Sequence, residues 1–330
     1  MVTLTEAFAQ LDGKLALTAD DALTLRRIIY GGDQVVTPQQ AEALIRLNAD
    51  AGDLSPDWRM LFVEALTDYV VHQQSPEGFV DETKAAWLSQ ALAQDGCAKD
   101  DEIEVLVSVL EKAEATPASL SAYAMGAVKA QILARAGRAI TGADVQTLRR
   151  IVFAVGGDQN IGVSRTEALA LFDLNDAMRD AANDPSWTDF FARAVANAVL
   201  YETTYHAPDA QTELRREDWL ADTTRHLWGE RFRGIWSHEP AAHLGVNAPS
   251  VERAWRAGLD ADAALEAQAE QVTSSEAHWL ADRIGRDGVF DVNERALVSF
   301  LQANAASIDP ALQPLIAALG DHPGLASRAA

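Results

Sequence analysis

TADDALTLRRIIYGGDQVVTPQQAEALIRLN, residues 18–48, returns later in the chain as TGADVQTLRRIVFAVGGDQNIGVSRTEALALFDLN, residues 141–175. A second pair follows in the same order: AAWLSQALAQDGCAKDDEIEVLVSVL at 85–110 and AHWLADRIGRDGVFDVNERALVSFL at 277–301. Self-similarity at this scale constrains architecture before any single residue is interpreted. It predicts two tandem helical modules, residues 1–136 and 137–330, the second carrying an inserted segment at 203–272. Within that insert, Trp219-Leu220-Ala221-Asp222 echoes Trp279-Leu280-Ala281-Asp282, as a worn third copy of one unit would.

The fold class is expected to be all-α. A Gly beside an acid recurs at Asp12-Gly13, Gly32-Asp33, Glu77-Gly78, Asp95-Gly96, Gly157-Asp158 and Asp287-Gly288, where glycine can end one helix in the left-handed conformation. Polar residues three apart then start the next helix: Thr18 with Asp21, Thr141 with Asp144, Ser164 with Glu167, Thr273 with Glu276, Asp291 with Glu294. Thr37-Pro38, Thr116-Pro117 and Asp309-Pro310 read as a cap followed by proline at the first helical position. Between the caps, Ile103, Leu106, Val107 and Leu110 keep helical spacing, as do Leu297, Phe300 and Leu301. The spacing predicts helices over 18–30, 37–49, 57–73, 81–94, 100–113, 117–136, 141–155, 164–179, 185–203, 273–285, 291–304 and 310–319. β-Hairpin signals are absent. Trp58 matches Trp187 and Trp87 matches Trp279, and all four read as core.

Composition narrows the classes of function. With 48% hydrophobic and 23% charged residues the chain is globular, and its formal net charge of -22 repels nucleic acid and anionic membrane surfaces. Divalent cations and basic protein surfaces are attracted instead. Lysine occurs only at 14, 84, 99, 112 and 129, with arginine and alanine taking its usual places, a bias suggesting a GC-rich bacterial genome. Cys97 stands alone, so no intramolecular disulfide forms. The start, MVTLTEAFAQLDGK, lacks a basic region followed by an apolar run, and no window reaches the ~20 apolar residues of a membrane span. A cytoplasmic location without membrane insertion is expected.

Helix, acidic glycine loop, helix is also the grammar of calcium loops, which need oxygen ligands at positions 1, 3 and 5, Gly at 6 and a bidentate Glu at 12. With Gly288 at position 6, Asp287, Asp291 and Glu294 fit, but positions 1 and 3 are Arg283 and Gly285. With Gly96 there, Asp95 and Glu102 fit, whereas Ala91 and Ala93 offer no side-chain oxygen. With Gly78 there, position 12 is Lys84. No loop is complete.

RDGVFDVNERALVSFL, QDGCAKDDEIEVLVSVL and, less closely, GGDQNIGVSRTEALALF resemble the tellurite-resistance TerB-like family. The resemblance covers both modules but not 203–272. It implies an all-helical bacterial module with acids such as Asp95, Glu102, Asp287 and Glu294 near a cation, linked to stress response or membrane-associated complexes and mostly without a catalytic role. The reversed order at Gly32-Asp33 and Gly157-Asp158 departs from the family's Asp-Gly.

The insert holds four of the chain's eight tryptophans, together with seven arginines. Trp219, Trp228, Arg231, Arg233, Trp236 and His238 are candidates for a protein-binding face, and they serve equally well to close the space between the modules. His206, His226, His238 and His243 are candidate metal ligands for an enzyme. The run His238-Glu239 to His243 has the wrong spacing for a zinc-protease helix, and Pro240 interrupts it. No nucleophile elbow, phosphate loop or dinucleotide pattern is present. The leading expectation is a bacterial cytoplasmic interaction or scaffold protein with no cofactor. The alternatives are a protein binding calcium or another divalent cation, with Asp287, Asp291, Glu294, Asp95 and Glu102 as ligands, and a metal-dependent enzyme using the insert histidines.

Overall fold

The chain is described from a computed structural model, which covers residues 4–31, 35–92, 98–154, 163–200, 271–286, 288–305 and 307–320. The described residues are mostly helical, so the chain is all-α. In order they form α1 (Leu4–Leu11), β1 (Ala16–Leu17), α2 (Ala19–Ile29), α3 (Pro38–Asp50), β2 (Asp53–Leu54), α4 (Pro56–Thr67), α5 (Glu82–Leu92), α6 (Asp100–Lys112) and α7 (Ala118–Ala134). There follow α8 (Gly142–Ala154), α9 (Arg165–Met178), α10 (Ser186–Leu200), β3 (Gln271–Val272), α11 (Ser274–Arg283), α12 (Val292–Asn304), β4 (Ser307–Ile308) and α13 (Gln313–Gly320).

The capped starts form as their spacing predicts. Reciprocal side-chain and main-chain bonds join Thr18 with Asp21, Thr37 with Gln40, Ser164 with Glu167, Thr273 with Glu276 and Asp291 with Glu294. Thr141 and Asp144 do the same. These bonds satisfy N–H groups that the first turn of a helix leaves without a partner. Four details differ from expectation. The helix over 57–73 becomes a π-helical turn at Asp68–His72. Residues 310–312 are a 3₁₀ turn. Thr116 does not cap α7, which starts one residue later with Pro117 in the cap position. The helix α1 was not foreseen, because eight residues show too few turns for a periodicity to emerge.

The helices fall into four successive pairs, α2–α3, α5–α6, α8–α9 and α11–α12, and in each the segment leaving the pair bonds the segment entering it. β1 pairs with β2 in parallel, Leu17 opposite Leu54, and β3 pairs with β4, Val272 opposite Ile308. A parallel bridge joins Phe79 to Ala115, and Asp184 N donates to the Ile140 carbonyl at 2.8 Å. Two-residue strands are too short for a period-two pattern, so the sequence carries no sign of them.

The helix after the first pair, α4, packs along α6, and the one after the third, α10, packs along α12. The central helix α7 rests on α8 and α9. One apolar core runs from Ala7 to Leu312. Trp58 and Trp187 are fully buried in it, and Trp87 and Trp279 pack half-buried against it. Among the described residues no helix is long and apolar enough to cross a membrane.

Each buried indole meets an asparagine: Trp58 Nε1 donates to Asn48 Oδ1 at 3.0 Å, and Trp187 Nε1 to Asn175 Oδ1 at 3.2 Å. Asn175 Oδ1 has a second donor, Asn293 Nδ2 at 2.7 Å. Removing the indole N–H therefore strips Asn48 further than Asn175. Trp58→Phe is expected to lower unfolding free energy by about 1–3 kcal/mol and Trp187→Phe by less. Urea unfolding of the two variants checks the order.

Candidate functional site

The acids singled out by their loop spacing divide into two groups. Asp95 and Asp287 lie outside the described residues, as do Trp219, Trp228, Arg231, Arg233, Trp236, His238, the other insert histidines and Cys97. Asp291, Glu294 and Glu102 are described.

Asp291 and Glu294 stand at the loop between α11 and α12. The Asp291 carboxylate caps the helix: its Oδ1 accepts from the N–H groups of Asn293 and Glu294, each at 2.8 Å. Its Oδ2 accepts from Asn175 Nδ2 at 2.5 Å, a contact spanning 116 residues of sequence. Glu294 is 3% exposed and reaches back across the loop, where Oε1 accepts from Gly285 N at 2.9 Å and Oε2 from Asp291 N at 3.1 Å. Asn293 donates to Asn175 and accepts from Thr188 Oγ1 at 2.6 Å. A polar junction thus ties α9, α10 and α12 together inside the apolar core.

Glycine is required at the turn. Gly285 has φ +66, and a Cβ there would lie 2.4 Å from Phe290 Cε1, so the ring closes directly over the backbone. Beside it, Arg286 Nη2 lies 2.6 Å from Asp176 and 3.1 Å from Asp173. Burial pushes the Glu294 carboxyl up to about 6, against the pull of its two N–H donors, and the charges of Asp291 and Asp176 add to the rise.

The first half builds the equivalent junction with the opposite charge. Lys99 holds the place of Asp291. Its N–H donates to Glu102 Oε2 at 2.8 Å, and its Nζ donates to the carbonyls of Asn48 and Ala49, each at 2.8 Å. Glu102 is therefore a helix-start acid like Glu294, 3% exposed. Among the described residues no three His, Cys, Asp or Glu side chains converge as metal ligands.

Asn175, Asn293, Thr188 and Gly285 were not anticipated. The one available signal was the asparagine ending both copies of the first repeat, Asn48 and Asn175. Thr188 shows no pattern at all.

Elsewhere acids act in pairs with cations. Arg135 grips Asp144 through Nη1 at 2.7 Å and Nη2 at 2.9 Å. Burial raises the Asp144 carboxyl, but Arg135 and Thr141 outweigh it and hold it below the ordinary carboxylate value. Arg150 on α8 bonds Glu104 and Glu111 on α6 from half-exposed positions, where such pairs contribute little.

Compared with known proteins, the chain matches no family model, no curated protein and no solved structure.

The folded chain holds the Glu294 proton more tightly than the unfolded chain. Its contribution to stability is complete below pH 4.5 and is lost as pH rises through about 6. Between pH 4.5 and 7 the wild type should lose about 1 kcal/mol more than Glu294→Gln, after allowance for solvent screening. Urea midpoints measured across that range report the difference.

Proposed function

We propose that this chain is a non-catalytic helical interaction protein of the TerB-like type, acting in the bacterial cytoplasm and presenting the 203–272 segment to a protein partner. The observation that carries this reading is the employment of Asp291 and Glu294. All four of their carboxylate oxygens accept hydrogen bonds from main-chain N–H groups or from Asn175. Acids engaged in this way hold loops and helix starts in place, which is the work of a scaffold. General acid–base chemistry needs a carboxyl that can approach a substrate. The tryptophans and arginines of 203–272 support a recognition role for that segment, because Trp and Arg dominate the energetics of protein interfaces.

A second reading has its own observation. The carboxyls of Asp291 and Asp176 lie close enough to act on the charge of Glu294, and a divalent cation would neutralise such a grouping.

Affinity purification with wild type and with a folded variant lacking 203–272 separates the two. The interaction reading expects a partner recovered stoichiometrically with wild type and lost with the deletion; the same partners in both would count against it. The cation reading expects heat on titrating calcium into wild type, at least ten-fold weaker binding in Glu294→Ala, and unchanged protein partners on deletion.

A further inference from the structure

Lys84 is the buried cation among the described residues. Its side chain begins at the third residue of α5, the place where α2, α8 and α11 carry an acid, Asp21, Asp144 or Glu276. Those acids turn back to the N–H of the capping residue. Lys84 turns back too, but to carbonyls: its Nζ donates to Gln74 O at 2.8 Å, Pro76 O at 2.9 Å and Phe79 O at 2.6 Å. The residue is 5% exposed, and Pro76 and Phe79 are buried with it. An ammonium has three N–H donors and no acceptor, so three carbonyls saturate it.

Three main-chain oxygens converging on one buried point repel one another unless a positive charge sits between them. Proteins use such carbonyl groupings to replace the hydration shell of a cation. With Gly78 at the sixth position of a calcium loop, Phe79 is the seventh, the position that supplies a main-chain oxygen. Lys84 is the twelfth, where a carboxylate would grip calcium. Here the chain supplies the cation itself. The separations are those of charge-assisted N–H···O bonds, ~2.7–2.9 Å, and on the whole longer than the ~2.3–2.6 Å that calcium adopts. The three oxygens are carbonyls rather than carboxylates. Size and charge both favour a monovalent ion of ammonium dimensions.

We propose that the 74–79 turn is a main-chain cation site whose resident ion is the Lys84 ammonium, and that a chain without this ammonium takes up free ammonium or potassium there. Burial weakens the hold of Lys84 on its proton, while Asp81 strengthens it. Asp81 Oδ1 also accepts from Lys84 N at 2.8 Å and so keeps the start of α5 beneath the cage.

The test uses the full chain. Melting temperatures of wild type, Lys84→Met and Lys84→Ala are measured in choline, sodium, potassium and ammonium chloride at one ionic strength. Wild type should melt at one temperature in all four salts. Lys84→Met, which fills the space without the charge, should melt several degrees lower in every salt. Lys84→Ala should melt lower in choline and recover saturably in ammonium or potassium. A Lys84→Met protein as stable as wild type would overturn the proposal, as would a Lys84→Ala protein that cannot distinguish ammonium and potassium from choline. If Lys84→Ala is unfolded in choline, native circular dichroism regained in ammonium or potassium supports the site, and none regained overturns it.

Discussion

A helix begins with N–H groups that have no partner in the preceding turn, and a chain built from short helices must settle this problem many times over. In this protein it is settled repeatedly by one device, a side chain three residues into the helix that reaches back over its start. Asp21, Asp144, Glu167, Glu276, Glu102 and Glu294 all do so. Four of them are at most 4% exposed. Carboxylates are rarely so buried unless they are fully bonded, and the cost of desolvation is met here by main-chain donors fixed in place. Losing one such bond would leave a buried carboxylate unpaired and a helix start uncapped. Short parallel pairings lie beside three helix starts, at Leu17, Phe79 and Val272.

Much of that device is visible in the amino-acid sequence, since it is local. Cap and acid lie three residues apart, and the helices between them repeat apolar residues at the helical period. Ile103, Leu106, Val107 and Leu110 are all buried, as that period requires. Trp58 and Trp187 sit in the core for the same reason. What the sequence conceals is long in range or short in extent. The contact between Asn175 and Asp291 spans 116 residues, and no pattern of spacing announces it. The need for glycine at 285 comes from the ring of Phe290, which folds back over it. Lys84 was visible as a residue that spoils a calcium loop, but its side-chain direction follows only from where the 74–79 carbonyls point.

Two contacts recur in the packing. The helix following the first helix pair lies on α6, and the one following the third lies on α12. In each case an indole on the later helix donates to an asparagine on the helix before it. The partners of that asparagine then differ. Asn175 is held through its side chain by Asp291 and Asn293, whereas Asn48 is held through its carbonyl by Lys99. One geometry is closed by an anion in one half and by a cation in the other.

This reversal bears on where the protein can respond to its surroundings. In the first half, Lys84 and Lys99 bring positive charge to five main-chain carbonyls, so those turns already contain the cation their geometry calls for. The second half has no lysine at all. Its junction gathers Asp291, Glu294 and Asp176 with Arg286 at the rim. Burial, more than those neighbouring charges, raises the affinity of Glu294 for a proton, which the carboxyl takes up near pH 6. The two halves therefore divide the labour: turns locked by tethered ammonium groups in one, and a buried junction that responds to protons in the other.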